Sequence, residues 1–134
     1  MDSILVIAAH PDDEVLSCGG TIARFVEEGI EVYVAILGEG ITSRYNNRAI
    51  ADSQDLKKLK ESCKSVAEFL GIKELFLFDL PDNRFDTVSL LDIIKIIESI
   101  IDKVKPSIIF THHSGDLNID HSIVHRATIT ATRP

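Results

Sequence analysis

His10-Pro11-Asp12-Asp13-Glu14 places one imidazole and three carboxylates within five residues, a set of donors suited to holding a metal ion and moving a proton. A second polar cluster, Thr111-His112-His113-Ser114-Gly115-Asp116-Leu117-Asn118-Ile119-Asp120-His121, lies about a hundred residues on, with His125 one helical turn beyond it. Two imidazoles and a carboxylate with one position left open is the usual arrangement of a catalytic zinc ion. His10 and Asp13, three apart on a tight turn, are able to converge on one ion, and His121 to complete the set from the distal cluster. Asp12 then points elsewhere, placed to take a proton from a water on that ion.

The bland readings carry less weight here. An isolated Asp-Asp would most often cap a helix, but this one follows an apolar run and is answered by Asp120-His121 far along the chain. His125 stands four residues after His121, yet no Glu follows His121, so an HExxH pair is not spelled out and His125 is read as an outer or surface residue. His112 is expected to face away from the crevice, since neighbours at a strand end alternate sides. Glu14 is read either as a partner for His10 or as a charge at a helix N-terminus. Arg44, Arg48 and Arg84 occupy polar loops, of which Arg44 and Arg84 are taken as substrate contacts. Asp82, Asn83 and Asp86 are read as turn residues. Gly38 and Gly40 form no GxGxxG after the first strand, so NAD binding has no support.

For the two clusters to meet, the elements between them must fold one particular way. Apolar runs at 3–9, 31–37, 74–78 and 107–111 read as strands, alternating with helical segments, which is the pattern of βαβ units. Val15, Leu16, Ile22, Phe25 and Val26 form the expected core stripe of the first helix, stopped at Gly29. Leu56, Leu59, Cys63, Val66, Ala67 and Leu70 form that of the second, closed by Gly71. Ile93, Ile94, Ile97, Ile100, Ile101 and Val104 form that of the third, ended by Pro106. Residues 120–134 read as a last helix. In a doubly wound sheet of order 3-2-1-4, strands one and four are neighbours, and the loops at their carboxyl ends share one crevice. The expected fold is therefore α/β: a Rossmann-like three-layer α/β/α domain with a mostly parallel sheet, spanning residues 1–134. With no closing strand after the last helix, it is expected to be incomplete at its C-terminus.

Ala9-His10-Pro11-Asp12-Asp13-Glu14, the Gly19-Gly20 that follows, and Asn118-Ile119-Asp120-His121 together resemble the PIG-L/LmbE-like zinc de-N-acetylases. The resemblance extends over Gly38-Glu39-Gly40, Ser43-Arg44 and the segment from Leu80 to Asp86. It implies His10, Asp13 and His121 as ligands of one zinc ion and Asp12 as general base. It also implies removal of an N-acetyl or other N-acyl group from an amino sugar or related glycoside. Many members carry His-Pro-Asp-His distally, the first histidine serving the oxyanion or the leaving group; here that position is Asn118. Asparagine donates hydrogen bonds but is no general acid, and His113 is the nearest histidine able to substitute. Two other readings stay open at this point: a non-catalytic metal-binding or assembly module, and a zinc hydrolase of another small amide.

The bulk properties narrow the field. At 134 residues, 45% hydrophobic and 26% charged, the chain suits one globular domain. Its net charge of −7 argues against a nucleic-acid backbone binder. Cys18 and Cys63 form no CxxC pair and suit small core residues in a reducing compartment. Neither a cationic leader nor a long apolar run is apparent, so the expected setting is the cytoplasm, with no membrane span and a homo-oligomer left open.

Overall fold

The computed structural model describes residues 2–134, in the order β1 (Ser3–Ala8), α1 (Asp13–Glu27), β2 (Glu31–Gly38), α2 (Ser53–Leu70), β3 (Glu74–Leu80), α3 (Leu90–Val104), β4 (Ile108–Phe110) and α4 (Ile119–Ala131). The four strands form one parallel sheet of order β3-β2-β1-β4. This is a Rossmann-like α/β/α sandwich, and β1 and β4 are neighbours as the alternating pattern predicts. β1 is paired on both sides and buried throughout, which explains its unbroken apolar sequence.

The period-two alternation of β1 divides the core. Leu5, Ile7 and Ala9 face one layer with Ile93, Ile94, Ile97 and Ile100 of α3 and Val124 and Ala127 of α4. Ile4 and Val6 face the other, with Ile22 of α1 and Cys63 of α2. Each isoleucine that α3 buries contributes about 1.5–3 kcal/mol of transfer free energy, so this helix is pinned firmly beneath the site. The helices stop where the chain must turn left-handed, at Gly71 after α2 and Lys105 before Pro106. Cys18 and Cys63 are unpaired. No helix among the described residues is long and apolar enough to cross a membrane.

One expected stripe needs correction. Leu16 is 80% exposed and Val15 37% exposed, whereas Glu14 and Ile22 are buried. The inward face of α1 runs through Glu14, Cys18, Ile22 and Phe25–Val26, with i+4 steps, so residues 15 and 16 sit roughly 100° and 200° away from it. A glutamate occupies the first core position, which disguises the stripe.

Gly38 ends β2 under tight constraint. A Cβ there would lie 2.6 Å from the Ala9 carbonyl oxygen and 2.9 Å from the Phe85 ring. The missing side chain lets Gly38 N–H donate to Ala9 O at 2.7 Å, which draws the loop after β2 against His10.

Candidate metal centre

Four loops meet at the carboxyl ends of the strands and line a cavity of about 510 Å³, a size ordinary for small-molecule sites. Its walls include His10, Asp12 and Asp13 from the β1 loop, Ser43 and Arg44 from the β2 loop, Asp82 and Asn83 from the β3 loop, and Asn118 and His121 from the start of α4. His10 Nδ1, Asp13 Oδ2 and His121 Nε2 form a nearly equilateral triangle, with separations of 3.3 Å (His10–Asp13), 3.1 Å (Asp13–His121) and 3.2 Å (His10–His121). Ligands about 2.0–2.1 Å from a tetrahedral ion lie about 3.3 Å apart. Residues 111 apart in sequence are thus held at metal-sharing distance, and the donor set fits a single divalent cation.

The opposite ring nitrogens are engaged by carboxylates. His10 Nε2 lies 2.8 Å from Asp120 Oδ2, and His121 Nδ1 lies 2.8 Å from Asp116 Oδ2. Each carboxylate accepts the ring N–H, so it is the other nitrogen, able to bind a cation through its lone pair once it has lost its proton, that faces the triangle. Asp120 is fully buried and also accepts from Asn83 N–H at 2.7 Å and Phe85 N–H at 3.0 Å. A buried carboxylate without those donors would be costly. Burial alone would lower the pKa of His10, but the hydrogen bonds and charges of Asp120 and Asp13 outweigh it and raise it to about 10. The surroundings of His10 therefore favour positive charge.

Asp12 lines the same cavity from an unusual backbone conformation, φ 132° and ψ −28°. Its N–H donates to the buried Glu14 carboxylate at 3.0 Å. Glu14 thus holds the Asp12 turn and does not reach His10, which decides between the two readings of that residue. Burial, followed by the Asp13 charge, raises the Asp12 pKa.

His112 turns inward, contrary to expectation. β4 ends at Phe110, so strand alternation no longer governs residue 112. Its Nε2 accepts the Ala9 N–H at 2.8 Å, and its ring stacks on His121 at 3.9 Å between centroids. Burial and the neighbouring His121 push its pKa down to about 4, so it is a neutral prop for His121. His113 goes elsewhere: its Nδ1 accepts Gly115 N–H at 3.0 Å, and it lines an adjoining cavity of about 260 Å³ between α1 and the end of β4, on the other side of Asp13. His125 Nδ1 bonds the His112 carbonyl.

Of the arginines, Arg44 lines the large cavity. Arg48 is committed to the buried Glu39, with Nη2 to Oε2 at 2.6 Å, and Arg84 Nη1 donates to the Asp82 carbonyl at 3.3 Å. Sequence reasoning misses the parts played by Asp82, Asn83, Asp116 and Asp120. Asp82 accepts from Ser43 N–H and Oγ, tying the β2 loop to the β3 loop. Only the adjacency of Asp120 to His121 offers a signal; the other partners are set by topology.

A family model described as PIG-L, GlcNAc-PI de-N-acetylase, matches residues 5–132. The chain is 31% identical over 135 residues to a probable N-acetyl-alpha-D-glucosaminyl L-malate deacetylase 2 of Bacillus cereus, a match covering 96% of this chain and 60% of that protein. Among solved structures, GalB, the 4-carboxy-2-hydroxymuconate hydratase from Pseudomonas putida, superposes with a TM-score of 0.80 at 26% identity, covering 98% of this chain and 55% of that one. The N,N'-diacetylchitobiose deacetylase from Pyrococcus horikoshii gives a TM-score of 0.80 at 20% identity, over 97% and 49% of the two chains, a likeness of fold. The chain spans about half to three fifths of the length of these proteins.

Proposed function

The chain belongs to the PIG-L family, and on that footing we propose that it is a zinc-dependent hydrolase removing an N-acetyl or related N-acyl group from an amino sugar or similar glycoside, in the cytoplasm. The observation that carries this reading is the triangle of His10 Nδ1, Asp13 Oδ2 and His121 Nε2 beside Asp12 in one cavity. Zinc held by those three residues would supply Lewis acidity toward the acyl carbonyl and lower the pKa of a water beside it.

Asp12 accepts the proton of the attacking water as the C–O bond forms. Asn118 Nδ2 donates a hydrogen bond to the oxygen that gains charge when the carbonyl carbon becomes tetrahedral. Breaking the C–N bond requires a proton on the amine; an amide side chain cannot supply one, so Asp12 returns the proton it took. The placement of His113 in a different cavity favours Asn118 for the oxyanion. Arg44 faces the cavity and orients a sugar hydroxyl or an anionic substituent.

A panel of N-acetylated amino sugars and glycosides, assayed for released primary amine with zinc-loaded and chelator-treated protein, tests this reading. At least one substrate should yield amine and acetate in equal amounts, with the activity lost to the chelator and restored by zinc. A zinc-loaded, folded protein that releases amine from none of them would overturn it.

A further inference from the structure

The side chain of Asn118 performs two tasks with its two ends. Its Oδ1 accepts the N–H groups of Asp120 at 2.9 Å and His121 at 3.2 Å, capping α4. That fixes which end of the amide is oxygen, so Nδ2 must point the other way. There it donates one hydrogen to Asn83 Oδ1 at 3.1 Å. Asn83 is itself oriented, because its Nδ2 donates to Ser43 Oγ at 3.1 Å and lies 3.4 Å from Asp82 Oδ1. Neither amide is free to flip. An NH2 group is planar with its hydrogens about 120° apart, so the bond to Asn83 sets the direction of the second hydrogen, which has no acceptor among the described residues.

We propose that Asn83 is a positioning residue that aims the second Asn118 N–H at the developing oxyanion, through the chain Ser43–Asn83–Asn118 joining the loops after β2, β3 and β4. The proposal rests on the hydrolase reading above. The backbone of Asn83 supports the assignment: its φ of 53° is left-handed, and its N–H holds Asp120 behind His10. Asparagine tolerates that conformation better than most residues, so the position supplies a fixed amide together with the turn.

Asn83→Gly removes the side chain while keeping the left-handed turn and the N–H to Asp120. The chain has only four asparagines (Asn46, Asn47, Asn83, Asn118) and one glutamine (Gln54), so the side-chain amide region of a ¹H–¹⁵N spectrum is simple enough to follow Asn118 directly. In Asn83→Gly the two Asn118 side-chain proton resonances should move toward each other and exchange faster with solvent. Zinc content should stay stoichiometric. The kcat for amine release should fall about tenfold with KM within about twofold, a part of the ~10²–10³ that loss of an oxyanion donor costs. In an Asn118→Asp background, which keeps the cap but lacks the donor, Asn83→Gly should lower kcat no further. Unchanged Asn118 resonances in Asn83→Gly, or an equal loss of kcat in both backgrounds, would overturn the proposal. Should the wild type release no amine, the hydrolase reading fails, and the spectra still decide whether Asn83 orients Asn118.

Discussion

Replacing His121 with alanine is expected to lower zinc affinity by more than about 100-fold, beyond the 10–100-fold that loss of an outer partner costs. The triangle loses one of three protein donors, and among the described residues no other side-chain group lies within 3.3 Å of both remaining donors: His112 Nε2, 3.6 Å from Asp13 Oδ2, is taken by the Ala9 N–H. His10→Ala should be equally damaging to binding but should cost more in the fold. It deprives the buried Asp120 of one of its three donors, a loss of about 1–3 kcal/mol, whereas the Asp116 carboxylate behind His121 is partly open to solvent. Metal analysis after dialysis and melting of the metal-free proteins separate the two effects. Stoichiometric zinc held with wild-type affinity by either variant would show that the triangle is not the site.

Asp12→Asn should bind zinc as the wild type does while losing about 10²–10⁴ in turnover, the range for removal of a general base. Asparagine has the same shape, tolerates positive φ and keeps the N–H that donates to Glu14, so the change is confined to the proton acceptor. The donor triangle does not include Asp12. Near-normal turnover in the Asp12→Asn variant, purified free of wild type, would remove Asp12 from the mechanism.

Much of the frame is legible in the sequence. Apolar runs between glycine-stopped amphipathic stretches indicate parallel βαβ units, and the sheet order then places residue 10 beside residue 121. What escapes is whatever depends on hydrogen bonds between distant loops. Asp82 and Asn83 look like turn residues because they are, yet their side chains also bind Ser43 and Asn118, 39 and 35 residues away. His112 is misplaced when strand alternation is carried past the point where the strand ends. The α1 stripe is misread because Glu14, a charged residue, takes a core position to hold the Asp12 turn. In each case a local rule yields to a partner that only the folded chain supplies.

The Asp12 turn has a consequence for anyone seeking to improve this protein. A non-glycine residue at φ 132° and ψ −28° costs on the order of 1–3 kcal/mol, a sizeable fraction of the roughly 5–15 kcal/mol by which domains are stable at all. Glycine would adopt that conformation without the penalty and would erase the carboxylate. Selection for heat resistance alone therefore pulls this position away from the residue the chemistry requires, and any thermostabilised descendant must be screened for turnover at the same time.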